Sequence, residues 1–187
     1  MKRQIRNMVM TVTVAGAMLL PAATTSENTP KAQERLQKEV RRELITLPFL
    51  GIFDNLSYQI QGDTVTLTGQ TVRPVLKSDA GNRLRRIEGI AKVVNEIEVL
   101  PLSPFDDRLR LLVAQNVYGQ SALNRYALGA NPSIRIIVKN GNVTLEGVVD
   151  REMDKNIAFI QANGVAGVFS VTNNLRVVRG SITCREW

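Results

Sequence analysis

The pentapeptide Val-Thr-Leu-Thr-Gly at residues 65–69 returns as Val-Thr-Leu-Glu-Gly at residues 143–147. A shift of 78 residues aligns residues 50–99 with residues 128–177 without a gap, and thirteen of these fifty positions are identical. Self-similarity at one fixed spacing predicts two copies of the same supersecondary unit.

Each copy begins its matched part with a predicted β-hairpin. In the first copy, Leu56, Tyr58 and Ile60 alternate with polar residues, and the alternation resumes at Val65 and Leu67. This period of two indicates paired, half-buried strands. In the second copy the strands are joined by residues 140–141, an Asn-Gly pair that tolerates the positive φ angles of a two-residue hairpin turn.

Apolar residues spaced by three or four predict two helices per copy, one before and one after the hairpin. The first helices contain Leu36, Val40 and Leu44 in copy one, and Leu109, Leu112, Val113 and Val117 in copy two. The second helices contain Leu76, Ala80, Leu84 and Ile87 in copy one, and Met153, Ile157 and Ile160 in copy two. The apolar faces of the two second helices are out of register under the 78-residue shift, so we expect the repeat to be weakest in these helices.

A third strand follows each second helix, over residues 93–99 and 171–177. The predicted fold class is α+β, with two tandem αββαβ modules, each a mixed three-stranded sheet packed against two helices. The predicted modules span residues 31–100 and 106–179, joined by a short linker at 101–105 and followed by a tail at 180–187. Because this linker is short and rich in proline, we expect the modules to touch.

The first residues predict export. Lys2, Arg3 and Arg6 precede an uncharged, mostly apolar run from Met8 to Leu20, which is typical of a secretory signal peptide. We expect residues 1–23 to be removed near Ala23, with residues 24–30 left as a leader and the mature protein in the periplasm. A retained membrane anchor is the alternative interpretation.

The repeated motif resembles the BON domain. The resemblance is carried by a Val-Thr-Leu-x-Gly hairpin, a helix, then Gly-Ile or Gly-Val and Val-x-Asn-x-Ile/Leu-x-Val, found at residues 65–69 with 89–99 and at 143–147 with 167–177. It implies an exported bacterial protein associated with phospholipid binding, osmotic or envelope stress and outer-membrane integrity. It implies no catalytic residues.

The composition disfavours most catalytic classes. The sequence contains no histidine, and so lacks the commonest general base and transition-metal ligand. Its single cysteine, Cys184, excludes an internal disulfide. We therefore expect no enzyme activity, metal or small-molecule cofactor. Without the three signal-peptide charges, 21 basic residues face 17 acidic ones, an excess of four that is too small to predict nucleic-acid binding.

Two function hypotheses remain open. In the first, the helix at residues 106–118 binds an anionic phospholipid surface, with Arg108 and Arg110 at the headgroups and Leu111 inserting into the lipid. In the second, the chain is an adaptor or stress-protective factor that binds envelope proteins. The apolar residues Phe49, Leu50, Ile52 and Phe53 then form a partner patch, unless they pack against the other module.

Overall fold

The computed structural model describes residues 30–129 and 131–178, so the expected signal peptide and Cys184 lie outside the described residues. The first module consists of α1 (Pro30–Ile45), β1 (Asn55–Gln61), β2 (Thr64–Thr71), α2 (Pro74–Leu84), β3 (Lys92–Asn95) and β4 (Glu98–Val99). The second consists of α3 (Pro104–Tyr118), a 3₁₀ helix (Asn124–Ala127), β5 (Ile134–Lys139), β6 (Asn142–Val149), α4 (Glu152–Asn163), β7 (Ser170–Asn173) and β8 (Arg176–Val177). The predicted α+β class and αββαβ order are confirmed.

Both sheets are mixed, as predicted. In the first module β1 is antiparallel to β2, while β3 and β4 both pair parallel to β2 as two pieces of one interrupted strand. The second module repeats this arrangement with β5 to β8. At the interruption the Asn95 side chain donates to the carbonyl oxygen of Lys77 over 2.7 Å, and the Asn173 side chain donates to that of Lys155 over 2.9 Å. These asparagines tie the third strand to the second helix.

The repeated glycines at the end of the pentapeptide have a steric cause. Gly69 and Gly147 have φ angles of 112° and 116°. A Cβ atom at either position would lie 2.0 Å from a carbonyl oxygen of the adjacent strand, that of Asn55 or Ser133. Only glycine permits this close approach of the two strands.

Each module has its own apolar core between the sheet and its helices. Leu67 and Leu145, which the repeat pairs, are both fully buried. The face predicted for α2 is buried, but the face predicted for α4 is wrong at Met153 and Ile160, which are 69% and 61% exposed, whereas Ile157 packs partly buried against the core. The α4 residues that are buried are Asp154, Ala158 and Ala162.

The 78-residue register therefore continues through the second helices. The buried residues Leu76, Ala80, Leu84 and Ile87 correspond to Asp154, Ala158, Ala162 and Val165. The spacing of large apolar residues predicts the wrong face in the second copy because the buried face of α4 contains an aspartate and small alanines, while its larger apolar residues face outward. Asp154 replaces a core leucine by accepting a 2.6 Å hydrogen bond from the Tyr126 hydroxyl and by pairing with Arg125.

The modules touch, as expected. The backbone N–H of Ile136 donates to the carbonyl oxygen of Ile52 over 2.8 Å, and Arg135 Nη1 donates to that of Gly51 over 2.7 Å. The Phe53 side chain packs against the core of the second module. A loop of the first module thus covers the edge of the second module's sheet.

Candidate functional site

Helix α3 is positioned by its first turn. The Ser103 hydroxyl accepts the backbone N–H of Asp106 over 3.2 Å, which is an N-cap. The buried carboxylate of Asp106 accepts the backbone N–H groups of Asn140 and Gly141 over 2.9 and 2.8 Å. Asp106 therefore holds the tip of the second hairpin against the start of α3.

Arg110 does not lie where the lipid hypothesis placed it. Its side chain is 3% exposed, and Nη2 donates to the carbonyl oxygen of Val138 over 2.8 Å. Nη1 pairs with Asp107. Because its guanidinium is buried and bonded to other groups of the protein, Arg110 is not available to a headgroup. The prediction of headgroup contact at this residue is wrong.

Arg108 and Leu111 lie on the exposed part of the same helix. Arg108 is exposed, and Leu111 is 64% exposed, away from the core residues Leu109, Val113 and Val117. Their positions suit contact with an external surface, and whether that surface is lipid stays a prediction.

The segment predicted as a partner patch is divided by the fold. Phe53 and the backbone of Ile52 belong to the interface between the modules, and Leu50 packs against the core of the first module. Only Phe49 is strongly exposed, at 67%, with a φ of 67° and the guanidinium carbon of Arg73 5.4 Å from its ring centre. Packing against the other module was the alternative interpretation, and it applies to Ile52 and Phe53.

One cleft brings residues of both predicted sites together. A space of about 220 Å³ between the modules is lined by Phe49 and Phe53 from one side and by Arg110 and Leu111 from the other. The exposed side chains of Phe49 and Leu111 therefore border the same opening. Sequence spacing could not show this proximity, since the residues belong to different modules.

The exposed surface of α3 and α4 is unusually apolar, and we call it the helix face. Its large exposed side chains include Phe105, Leu111, Leu112, Met153 and Ile160. The buried positions of α1 and α3 correspond at a spacing of 73 residues, as in Val40 and Val113, and those of α2 and α4 at 78. The first-module residues that correspond to these five helix-face residues are, in the same order, Ala32, Lys38, Glu39, Val75 and Asn82. The apolar helix face is thus a property of the second module.

The described residues contain no group of three or more acidic, cysteine or histidine side chains that could hold a metal ion. The acidic cluster at the start of α4 is structural in part, because Asp154 is buried against Tyr126 and Arg125. Burial and the hydrogen bond to Asp154 raise the pKa of the Tyr126 hydroxyl. None of the helices in the described ranges combines the length and hydropathy that a bilayer span requires.

The two αββαβ modules, each with a mixed sheet and two helices, define a tandem α+β repeat protein. A model of the BON domain family matches residues 32–101 and 120–179, and the chain belongs to this family of non-catalytic binding modules. The second match begins after α3, although α3 packs on that module. Family membership supports an association with the cell envelope.

Comparison with solved structures gives distant likenesses only. The chain is similar to CdsD, a structural protein of the Type III secretion system of Chlamydia trachomatis, in two structures, one of them of its C-terminal domain. Sequence identity is 9% in both comparisons, and the TM-scores are 0.31 and 0.32. The alignments cover 76% and 78% of this chain, and 97% and 93% of the CdsD chains. At such scores no functional argument follows. A search of curated proteins found no significant match.

Proposed function

We propose that the protein is a peripheral phospholipid-binding protein of the bacterial envelope, which contacts anionic membrane surfaces through the helix face of its second module. The observation that carries the proposal is the contrast between the modules: Leu111, Leu112 and Ile160 stand where the first module has Lys38, Glu39 and Asn82. A shared fold does not require this difference.

The composition of the helix face fits the membrane interface. An apolar helix surface that carries cationic side chains can lie in the plane of the headgroups, with its apolar residues in the acyl boundary. Arg108 supplies an exposed cation between Phe105 and Leu111 on α3. One arginine near an anionic surface contributes about 1 kcal/mol, so most of the binding free energy must come from the apolar residues.

The decisive experiment transfers first-module residues onto the helix face. The triple variant Leu111→Lys, Leu112→Glu, Ile160→Asn should lose about tenfold or more in binding to phosphatidylglycerol-containing vesicles, because three apolar contacts are removed. Co-sedimentation measures this, and Val75→Lys on the first module is the control that should bind as wild type does. Equal sedimentation of the wild type and the triple variant, with matching circular dichroism, would exclude the proposal.

A second candidate function, binding of an extended polypeptide, is favoured by the open edge of β1. The edge of β5 is covered, since Ile134 O accepts the Tyr118 hydroxyl at 2.5 Å and Ile136 N donates to Ile52 O. Within residues 30–129 and 131–178, the equivalent backbone groups of Leu56 and Tyr58 have no such cover. An open edge accepts a further strand.

Hydrogen exchange tests the second candidate. Addition of envelope proteins should slow exchange at the amides of Leu56, Tyr58 and Ile60, whereas a protein-free lipid extract should not. Unchanged exchange at these three amides in the presence of the protein fraction would contradict strand addition at this edge.

A further inference from the structure

A cavity of about 480 Å³ lies between the two modules, on a different surface from the helix face. It is bounded by the end of α1 and the start of β1 on one side and by residues 125–129 and 131–135 of the second module on the other. We call it the inter-module cavity. Its volume lies in the range of small-molecule binding sites.

Most of the surface area of the wall is apolar, and leucines contribute to it from both modules. Leu44, Leu50 and Leu56 line the inter-module cavity from the first module, and Leu128 lines it from the second. Leu128 is 73% exposed even though the leucine that the repeat pairs with it, Leu50, packs on a core. A wall of this kind suits an unbranched hydrocarbon chain.

The charged side chains of the wall are mostly cationic. Arg135 is 8% exposed and Arg41 is partly buried, and both line the inter-module cavity. Burial lowers the pKa of Arg135, since the charged guanidinium has lost water. Arg135 Nη1 already donates to Gly51 O across the module interface, and Arg125, which also lines the cavity, is paired with Asp150 and Asp154.

Two further groups decide the sign and the hydrogen bonding of a ligand. Asp54 is the acidic lining residue, and its carboxylate already accepts hydrogen bonds from Gly51 N, Thr71 Oγ1 and Val72 N, at 2.7 to 2.9 Å. Among the charged residues of the lining, Arg41, Arg125 and Arg135 outnumber Asp54, while the partners of Arg125, Asp150 and Asp154, lie outside the lining. Ser133, which is 6% exposed and lines the same cavity, has a buried hydroxyl without a hydrogen-bond partner among the described residues. Such a buried group favours a ligand oxygen.

We propose that the inter-module cavity binds a single-chain amphiphile with one carboxylate, of the fatty-acid class. The carboxylate lies at Arg41 and Arg135 within reach of Ser133, and the hydrocarbon chain lies along Leu44, Leu50 and Leu56. The site includes residues of both modules, so ligand binding and module arrangement are coupled.

Titration calorimetry with dodecanoate, below its critical micelle concentration, tests this site on the full chain. Dodecanoate should bind, while dodecanol and dodecyltrimethylammonium should bind at least about tenfold more weakly, since they lack the anion. A lysophosphatidylglycerol arm separates a free fatty acid from a lipid headgroup: tighter binding of the lysophospholipid than of dodecanoate would overturn the carboxylate assignment.

Two variants locate the binding. Arg41→Met and Leu128→Glu change partly or largely exposed side chains, and each should weaken dodecanoate binding by about tenfold. No binding to the wild type, or binding to both variants as tight as to the wild type, would overturn the proposal. The triple helix-face variant should keep dodecanoate binding, and Leu128→Glu should keep vesicle binding, so the two proposals fail separately.

Discussion

Arg110 Nη2 donates a 2.8 Å hydrogen bond to the carbonyl oxygen of Val138, on the outer edge of β5. This bond and the Asp107 pair place the guanidinium inside the protein, 3% exposed, two residues after the exposed Arg108. One helix therefore carries one structural arginine and one free to contact an external surface, and the two can be separated by mutation.

Charge reversal should destabilise the protein at Arg110 and have little effect on its stability at Arg108. Arg110→Glu should lower the free energy of unfolding by about 2 to 4 kcal/mol, because it leaves Val138 O without a donor and buries a carboxylate beside Asp107. Arg108→Glu should change stability by less than about 0.5 kcal/mol. Urea denaturation measures both, and equal stability of the two variants would contradict the burial of Arg110.

Vesicle binding should respond to Arg108 in a graded order. Affinity for anionic vesicles should fall from wild type to Arg108→Ala to Arg108→Glu, because alanine removes about 1 kcal/mol of attraction and glutamate adds a comparable repulsion. Binding of the wild type should also fall as salt rises, since exposed charges are screened over about 8 Å at physiological ionic strength. Co-sedimentation in which the glutamate variant matches wild type would count against a role for this cation.

The two paired leucines should be equally sensitive. Leu67→Ala and Leu145→Ala should each cost about 2 to 5 kcal/mol, because each removes a fully buried side chain and leaves a cavity. Thermal or urea unfolding measures the loss. A transition that barely moves in either variant would show that the corresponding core is not formed in solution.

The repeated glycines should not tolerate alanine. Gly69→Ala and Gly147→Ala should each destabilise the protein by about 3 kcal/mol or more, since the new Cβ would overlap a carbonyl oxygen at a positive φ. Gly62→Ala is the matched control: φ is also positive, at 63°, but nothing lies within 4 Å of the added Cβ, so its cost should be about 1 kcal/mol. Equal losses at Gly62 and Gly69 would contradict the steric explanation.

The stability that the Tyr118 hydroxyl contributes should be lost at alkaline pH. Burial raises the pKa of this hydroxyl, which donates to Ile134 O. The unfolded pKa is near 10, so this contribution to stability is complete below pH 10 and is lost as pH rises towards the higher folded value. Tyr118→Phe should therefore be less stable than wild type at pH 8, by about 1 kcal/mol, and the difference should shrink at pH 11. A constant difference in urea denaturation would contradict the raised pKa.

Helices α2 and α4 differ in how well the spacing of apolar residues predicts their buried face. In α2 the buried residues include the large apolar Leu76 and Leu84, so the spacing of apolar residues predicts the core face. In α4 the same positions hold Asp154, Ala158 and Ala162, and apolar Met153 and Ile160 face outward. Hydrophobicity alone selects the wrong face there, because Tyr126 and Arg125 satisfy the buried carboxylate from 28 and 29 residues away.

The sequence by itself determined the repeated module, its hairpins and third strands, its class and its family resemblance, because these follow from local alternation, turn residues and glycines with steric roles. Only the tertiary structure decided which arginine of α3 is buried, which residues of the segment at 49–53 contact the other module, and that α4 turns apolar residues outward. These outcomes depend on hydrogen-bond partners and packing surfaces far apart in the chain, such as Arg110 with Val138 and Ile136 with Ile52. No local pattern encodes such pairs, since each residue's environment is supplied by the other.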